Sequence, residues 1–207
     1  NGNRSGSCIA IIETDNVRIA GLSLTNGSGT EGYAGTGRYI GGGLFAWRSD
    51  AVEIIHCHIY ENEVIGHGGG CRISNSNVHF SATSIHHNHA SYIAGGIGAG
   101  NYDYSPALSF DTINRCSIYL NYSAQGCDIS KGFTYDTLHL ALDTFSVMQP
   151  GLYHIWEIDQ LGFPSPEMHI DILNAKIESQ PFDLYVNPTG SDTNSGLSAA
   201  EPLKTIS

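Results

Sequence analysis

Gly68-Gly69-Gly70-Cys71 opens, and Ile85-His86-His87-Asn88 closes, the stretch whose reading decides the fold. The opening recurs at Gly41-Gly42-Gly43-Leu44 and Gly95-Gly96-Ile97, and more weakly at Gly126-Cys127. The closing recurs at Ile59-Tyr60-Glu61-Asn62 and Ile118-Tyr119-Leu120-Asn121. Ile59 and Ile85 are 26 residues apart, and Ile85 and Ile118 are 33 apart. A looser first turn sets Val17 and Leu24 against Val52 and Ile59, an interval of 35. The surplus in the longer intervals falls in residues 27–40 and 101–107, both rich in Gly, Ser, Tyr and Asn, which is loop chemistry.

Between these landmarks apolar and polar residues alternate. Val17-Arg18-Ile19, Leu22-Ser23-Leu24 and Val52-Glu53-Ile54 each present one apolar and one polar face. Runs this short, β-branched and bordered by Gly, are strands. A unit of 26 residues with two or three short strands cannot bury its apolar face alone. Stacking successive turns at the ~4.8 Å spacing of neighbouring strands makes the interior continuous. The expected fold is therefore all-β, a right-handed parallel β-helix (solenoid) of about five coils. Ile59, Ile85 and Ile118 form one inward column, and Asn62, Asn88 and Asn121 form another at a corner. Buried amides are tolerated there only if each bonds its neighbours or the turn backbone.

The whole chain has 207 residues, enough for a core, with 41% hydrophobic and only 14% charged residues. Gly supplies 25 positions, above the usual ~7%. A net charge of -11 disfavours nucleic acid as a partner, because phosphate backbones are repelled. No apolar run has the ~18 residues of a membrane span. Opening at Asn1-Gly2-Asn3 and stopping at Lys204-Thr205-Ile206-Ser207, the chain reads as an internal piece of a longer protein. Residues 1–136 are the expected repeat region, 137–182 a Pro-punctuated cap or linker, and 183–207 the truncated start of a second β-helix unit. Within the cap, Leu138, Leu140 and Leu142 alternate as in a closing strand.

The Gly-Gly-apolar and Ile-x-x-Asn elements of residues 1–136 resemble the repeats of chlamydial polymorphic outer membrane proteins and related bacterial surface proteins. Ile stands where that family prefers Phe. Those proteins belong to the right-handed parallel β-helix, or pectate-lyase-like, superfamily. Leu184-Tyr185-Val186, the Gly190-Ser191-Asp192 turn and Pro202-Leu203-Lys204-Thr205-Ile206 are similar to the head of secreted bacterial β-helix domains. The resemblance implies secretion or display on a bacterial cell surface, with further β-helix units of the same chain as neighbours.

Candidate chemistry is sparse. Tyr60, His86 and Tyr119 each follow an inward Ile, so they should stack outward as an aromatic strip able to lie against sugar rings; ordinary stabilisation of the sheet face is the alternative. Register puts Glu61 over His87 and Glu63 over His89, and two carboxylates beside two imidazoles suit a borderline metal, with plain cross-strand charge pairing as the alternative. Five Cys residues, none in a Cys-x-x-Cys pair, read as small buried hydrophobes. Cys8, Cys71 and Cys127 are expected level with Leu44 and Ile97, and Cys57 and Cys116 level with each other, Thr83 between them. Same-column cysteines two coils apart are too distant for a disulfide.

Two functions compete. Repetition, low charge and acidity suit a non-catalytic module for adhesion or for binding and displaying polysaccharide or host and cell-surface glycans. The other reading, implied by the pectate-lyase-like resemblance, is a polysaccharide lyase or glycoside hydrolase acting on the β-helix wall. Only that reading brings a cofactor, Ca²⁺. Residues 1–136 hold seven Lys and Arg and no Asp pair placed beside one, so no residue is assigned a catalytic role.

Overall fold

The computed structural model describes residues 2–32, 37–100, 108–132, 137–151, 153–158, 168–177 and 184–205. The chain divides into two units, Asn1–Ile177 and Glu178–Ser207. Among the described residues there is no helix; none is therefore long and apolar enough to cross a membrane. The first unit is a parallel β-solenoid of about 4 turns, slightly fewer than the five read from the repeats.

Three parallel sheets form its walls. The first stacks Ile9–Ile12, Leu44–Trp47, Cys71–Ser74, Ile97–Gly100, Ile129–Gly132 and Ile155–Ile158. The second stacks Arg18–Ala20, Val52–Ile55, Val78–Ser81 and Leu108–Phe110. The third stacks Ser23–Thr25, His58–Tyr60, Ser84–His86, Cys116–Tyr119, Leu138–Phe145 and Met168–Ala175. Glu63–Val64, His89–Ile93 and Tyr122–Gln125 add a short parallel sheet at the corner beyond the third wall. The 27–40 insertion contains a small antiparallel pair, Thr30–Glu31 with Tyr39–Ile40. Its tip, and the whole 101–107 insertion, lie outside the described residues.

The expected columns form. Leu24, Ile59, Ile85, Ile118 and Phe145 lie level on successive turns, and Ile59, Ile85 and Ile118 are fully buried. Each such side chain contributes about 1.5–3 kcal/mol relative to leaving it in water. Solenoid pairing continues past residue 136: Leu138–Phe145 lies in parallel register on Cys116–Tyr119, and Met168–Ala175 lies on Leu138–Phe145 in turn. With Ile155–Ile158 in the first wall, the segment read as cap or linker carries three further strands.

The strands turn at corners held by residues in the left-handed region, which recur with the repeat. Asn26, Glu61, His87 and Leu120 have φ of 58°, 52°, 53° and 51° and stand level with one another. Only Asn takes this conformation readily among these types, so the corner is imposed by the columns on either side. Gly41, Gly68, Ala94 and Gly126 do the same one corner later.

Just inside the Asn26–Leu120 corner runs the amide column. The Asn88 Oδ1 accepts from the backbone N–H (3.1 Å) and the Nδ2 (2.9 Å) of Asn62. The Asn121 Oδ1 accepts likewise from Asn88, at 3.1 and 3.0 Å. Each Nδ2 also donates to the carbonyl of the buried residue one turn back, Leu24, Ile59 or Ile85. The Gly triplets make room: a Cβ at Gly43, Gly70 or Gly96 would stand 2.9–3.0 Å from the Nδ2 of Asn62, Asn88 or Asn121.

Where the column ends, the two positions exchange roles. In the first turn Gly27 replaces the Asn, and its N–H donates to Asn62 Oδ1. Cys8, level with Gly43, reaches into the gap, its Sγ donating to Thr25 O at 3.2 Å and lying 3.6 Å from Asn62 Oδ1. At the other end Asp128, level with Gly96, takes over as acceptor for the N–H and Nδ2 of Asn121. The other Asp128 oxygen lies 3.0 Å from His154 Nδ1. Cys8 and Cys127 consequently depart from the expected Leu44–Cys71–Ile97 level: Ile9 and Ile129 occupy it, with Cys8 level with Gly43 and Cys127 level with Gly95. Sequence spacing missed this because the Gly entries precede the strand by different numbers of residues. Cys57, Thr83 and Cys116 do align. All five thiols are free, and every one but Cys8 is buried.

The second unit is a short loop closed by a parallel bridge between Val186 and Leu203. The Asp192 carboxylate caps it by accepting the backbone N–H groups of Lys204 and Thr205. These hydrogen bonds favour the carboxylate and hold the Asp192 pKa below its usual value.

Candidate functional site

Alternation along the third sheet sends every second side chain outward, so Ile59, Ile85 and Ile118 point in while their neighbours form two outer rows. One row is His58, Ser84 and Ser117; the other is Tyr60, His86 and Tyr119. The second row stacks. Tyr60 and His86 have ring centroids 5.5 Å apart at 13°, and His86 and Tyr119 are 5.0 Å apart at 3°. Strand spacing sets these distances. The Lys176 Nζ closes the far face of Tyr119, 4.7 Å from its ring centre.

The three strip residues are therefore brought together, as expected, in an arrangement with a consequence for binding. Each inner ring face is covered by the next ring, so the column offers edges to solvent. Burial lowers the His86 pKa first, and the neighbouring His87 and His58 lower it further.

The four residues read as metal ligands separate into two sets. The Glu63 carboxylate lies 3.6 Å from His89 Nδ1. His87 turns instead to His86, with the two Nδ1 atoms 2.9 Å apart. Glu61 is level with His87 on the preceding turn. Among the described residues no group of three or more His, Cys, Asp or Glu side chains is gathered as for a metal ion.

Around the corner from the stack, beside the 27–40 insertion, lies a groove of about 460 Å³. Tyr39, Ile65, Glu61, Glu63, Arg4 and Asn26 line it. Tyr39 and Ile65 expose 41% and 60% of their surface, so the groove combines apolar surface with two carboxylates and a guanidinium. Sequence reasoning reached Glu61 and Glu63 but missed Tyr39, Arg4, Asn26 and Ile65. The antiparallel pair that carries Tyr39 lies in an insertion with no counterpart in the repeat.

A second cluster lies at the corner sheet that leads into the first wall. Arg38 stands over the Tyr92 ring at 5.3 Å, and His67 stacks on the same ring at 6.2 Å. Burial, then the charges of Arg72 and Arg38, pushes the His67 pKa down to about 4. His67 is therefore neutral near pH 7.

Two serine–histidine contacts invite a nucleophile reading: His58 Nδ1 lies 2.8 Å from Ser84 Oγ, and His79 Nδ1 lies 3.0 Å from Ser109 Oγ. They occur at equivalent cross-strand positions on two different sheets. Such recurrence is what neighbouring strands produce by register. A triad would need a carboxylate bonded to each imidazole; Glu53 is level with His79 on the preceding turn but pairs with Arg18.

The chain matches no protein family, no curated protein and no solved structure at a significant level.

Proposed function

We propose that this chain is a non-catalytic module for adhesion or glycan binding, secreted or displayed on a bacterial cell surface. The observation carrying the reading is the groove lined by Tyr39 and Ile65 together with Glu61, Glu63, Arg4 and Asn26. A sugar ring has an apolar face and a rim of hydroxyls, and a groove lined by both apolar and polar side chains suits both. The Tyr60–His86–Tyr119 column ends one residue before Glu61 and adds ring edges on the adjoining wall, across the corner. The resemblance to polymorphic outer membrane protein repeats supports a surface location.

Retention on immobilised neutral and acidic glycans tests the reading. Wild type should be retarded, Tyr39→Ala with Glu61→Gln should run freely, and Tyr60→Ala should have a smaller effect. Equal mobility of wild type and the double variant on every glycan would remove it.

The pectate-lyase-like alternative is favoured by one observation, the Arg38–Tyr92–His67–Arg72 cluster, which places cationic groups and a neutral imidazole together. Incubation with polyuronides in the presence of Ca²⁺ tests it. Unsaturated products made by wild type and lost in Arg72→Ala would establish a lyase; their absence in wild type ends that reading.

A further inference from the structure

His86 and His87 are sequence neighbours, and in a regular strand their side chains would point to opposite faces. The left-handed backbone at His87, with φ of 53°, swings its ring round instead. The two imidazoles meet edge to face, 5.1 Å between centroids at 89°, with their Nδ1 atoms 2.9 Å apart. Neither ring is loosely held. His86 is clamped between Tyr60 and Tyr119, and His87 stands edge-on to Tyr119 at 6.4 Å.

We propose that His86 Nδ1 and His87 Nδ1 form a two-imidazole chelate for a divalent transition-metal ion of tetragonal preference, Ni²⁺ or Cu²⁺, on the outer face of the third sheet. The site shares His86 with the ring column of the glycan reading but rests on a different observation, the contact of His86 with His87. Metal–imidazole bonds are about 2.0–2.1 Å long. Two of them at a right angle set the nitrogens about 2.9 Å apart, whereas the tetrahedral angle of a zinc site needs about 3.3 Å. The observed separation of 2.9 Å is the length of the Nδ1–H···Nδ1 hydrogen bond of the metal-free pair, and it also matches the right-angle value, so a right-angle chelate needs no change in separation.

Both rings bind as neutral imidazoles, each carrying its remaining proton on Nε2, so no proton need leave the protein. Burial already disfavours the charged form of His86. Glu61, level with His87 and exposed, adds an attractive charge; Lys176, against Tyr119, opposes it. Water completes the coordination. Short of a metal, the pair is held by one Nδ1–H donating to the other Nδ1.

Calorimetric titration of the tag-free full chain with Ni²⁺ near neutral pH tests the site; Ni²⁺ is chosen because thiols do not reduce it. Wild type should take up one ion per chain at micromolar concentrations, and more tightly than Zn²⁺. His86→Phe keeps a ring in the stack, and His87→Asn keeps a residue that tolerates the left-handed backbone. Each should weaken Ni²⁺ binding by about tenfold or more, with a far-ultraviolet circular dichroism spectrum like that of wild type. His89→Gln should bind like wild type. Three outcomes overturn the proposal: no micromolar Ni²⁺ binding, tighter Zn²⁺ than Ni²⁺, or loss in His89→Gln with none in His86→Phe and His87→Asn.

Discussion

Two columns run side by side at one corner of the solenoid, one at the ends of the third-wall strands and the other two residues further on. The inner one is Asn62, Asn88, Asn121 and then Asp128; the outer one is Tyr60, His86, Tyr119 and then Lys176. The inner column repeats one residue type, and the outer one keeps only flatness. Burial explains the contrast. An inner side chain must satisfy donors and acceptors with no water available, and one amide geometry does so rung after rung. The outer rings stack whatever their chemistry, since each is only half-buried.

Breaking the inner column should therefore cost most. Asn88→Ala strips Asn62 of its acceptor and Asn121 of a donor neighbour, so urea denaturation should show a loss of roughly 3–5 kcal/mol. Next comes its terminus: Asp128 is fully buried, and His154→Ala leaves that carboxylate with Asn121 alone. A loss of about 2–3 kcal/mol is expected, and Asp128→Asn should recover part of it in the double variant. The outer column should yield less, about 0.5–1.5 kcal/mol for His86→Ala. Equal losses for Asn88→Ala and His86→Ala would abolish the distinction between the columns.

Smaller effects sharpen it further. Burial pushes the Cys116 thiol up to about 11 and raises Cys71 further still. A thiol reagent at mildly alkaline pH should thus modify Cys8 rapidly and the four buried cysteines only after denaturant is added. Asp111, at a corner of the second wall, accepts from the N–H groups of Ile113 and Asn114, from Asn114 Nδ2 and from Ser81 Oγ. These bonds hold its carboxyl well below the usual 3.8. Its contribution is present above that value and is lost as the pH falls below it. Asp111→Asn should lower the thermal midpoint slightly at neutral pH and flatten its fall in acid.

The sequence made the columns legible wherever residue type was forced. Ile59, Ile85 and Ile118, and the three asparagines, stand level as their spacing indicated. Spacing failed where a different residue does the same job. Cys8 with Gly27, and Asp128 with His154, close the amide column from the neighbouring strand, and no period marks them. Leu138–Phe145 was readable from its alternation, but the wall strands Ile155–Ile158 and Met168–Ala175 escaped, since neither the Gly-Gly entry of the first wall nor the Ile-x-x-Asn of the third recurs there. Of the candidate site, the ring column was readable from alternation. The turn of His87 toward His86 was not, because a left-handed backbone at a histidine leaves no trace in composition.

The exchange at Asp128 also bears on how such a protein can change length. Every asparagine rung presents the same acceptor to the turn before it and the same donors to the turn after. A tandem duplication of the segment 63–88 would therefore add one more turn, about 4.8 Å of extra reach, with every new amide matched. A duplication carrying residue 128 would instead bury a second carboxylate in mid-column. Growth by copying is open along the asparagine rungs and closed at Asp128.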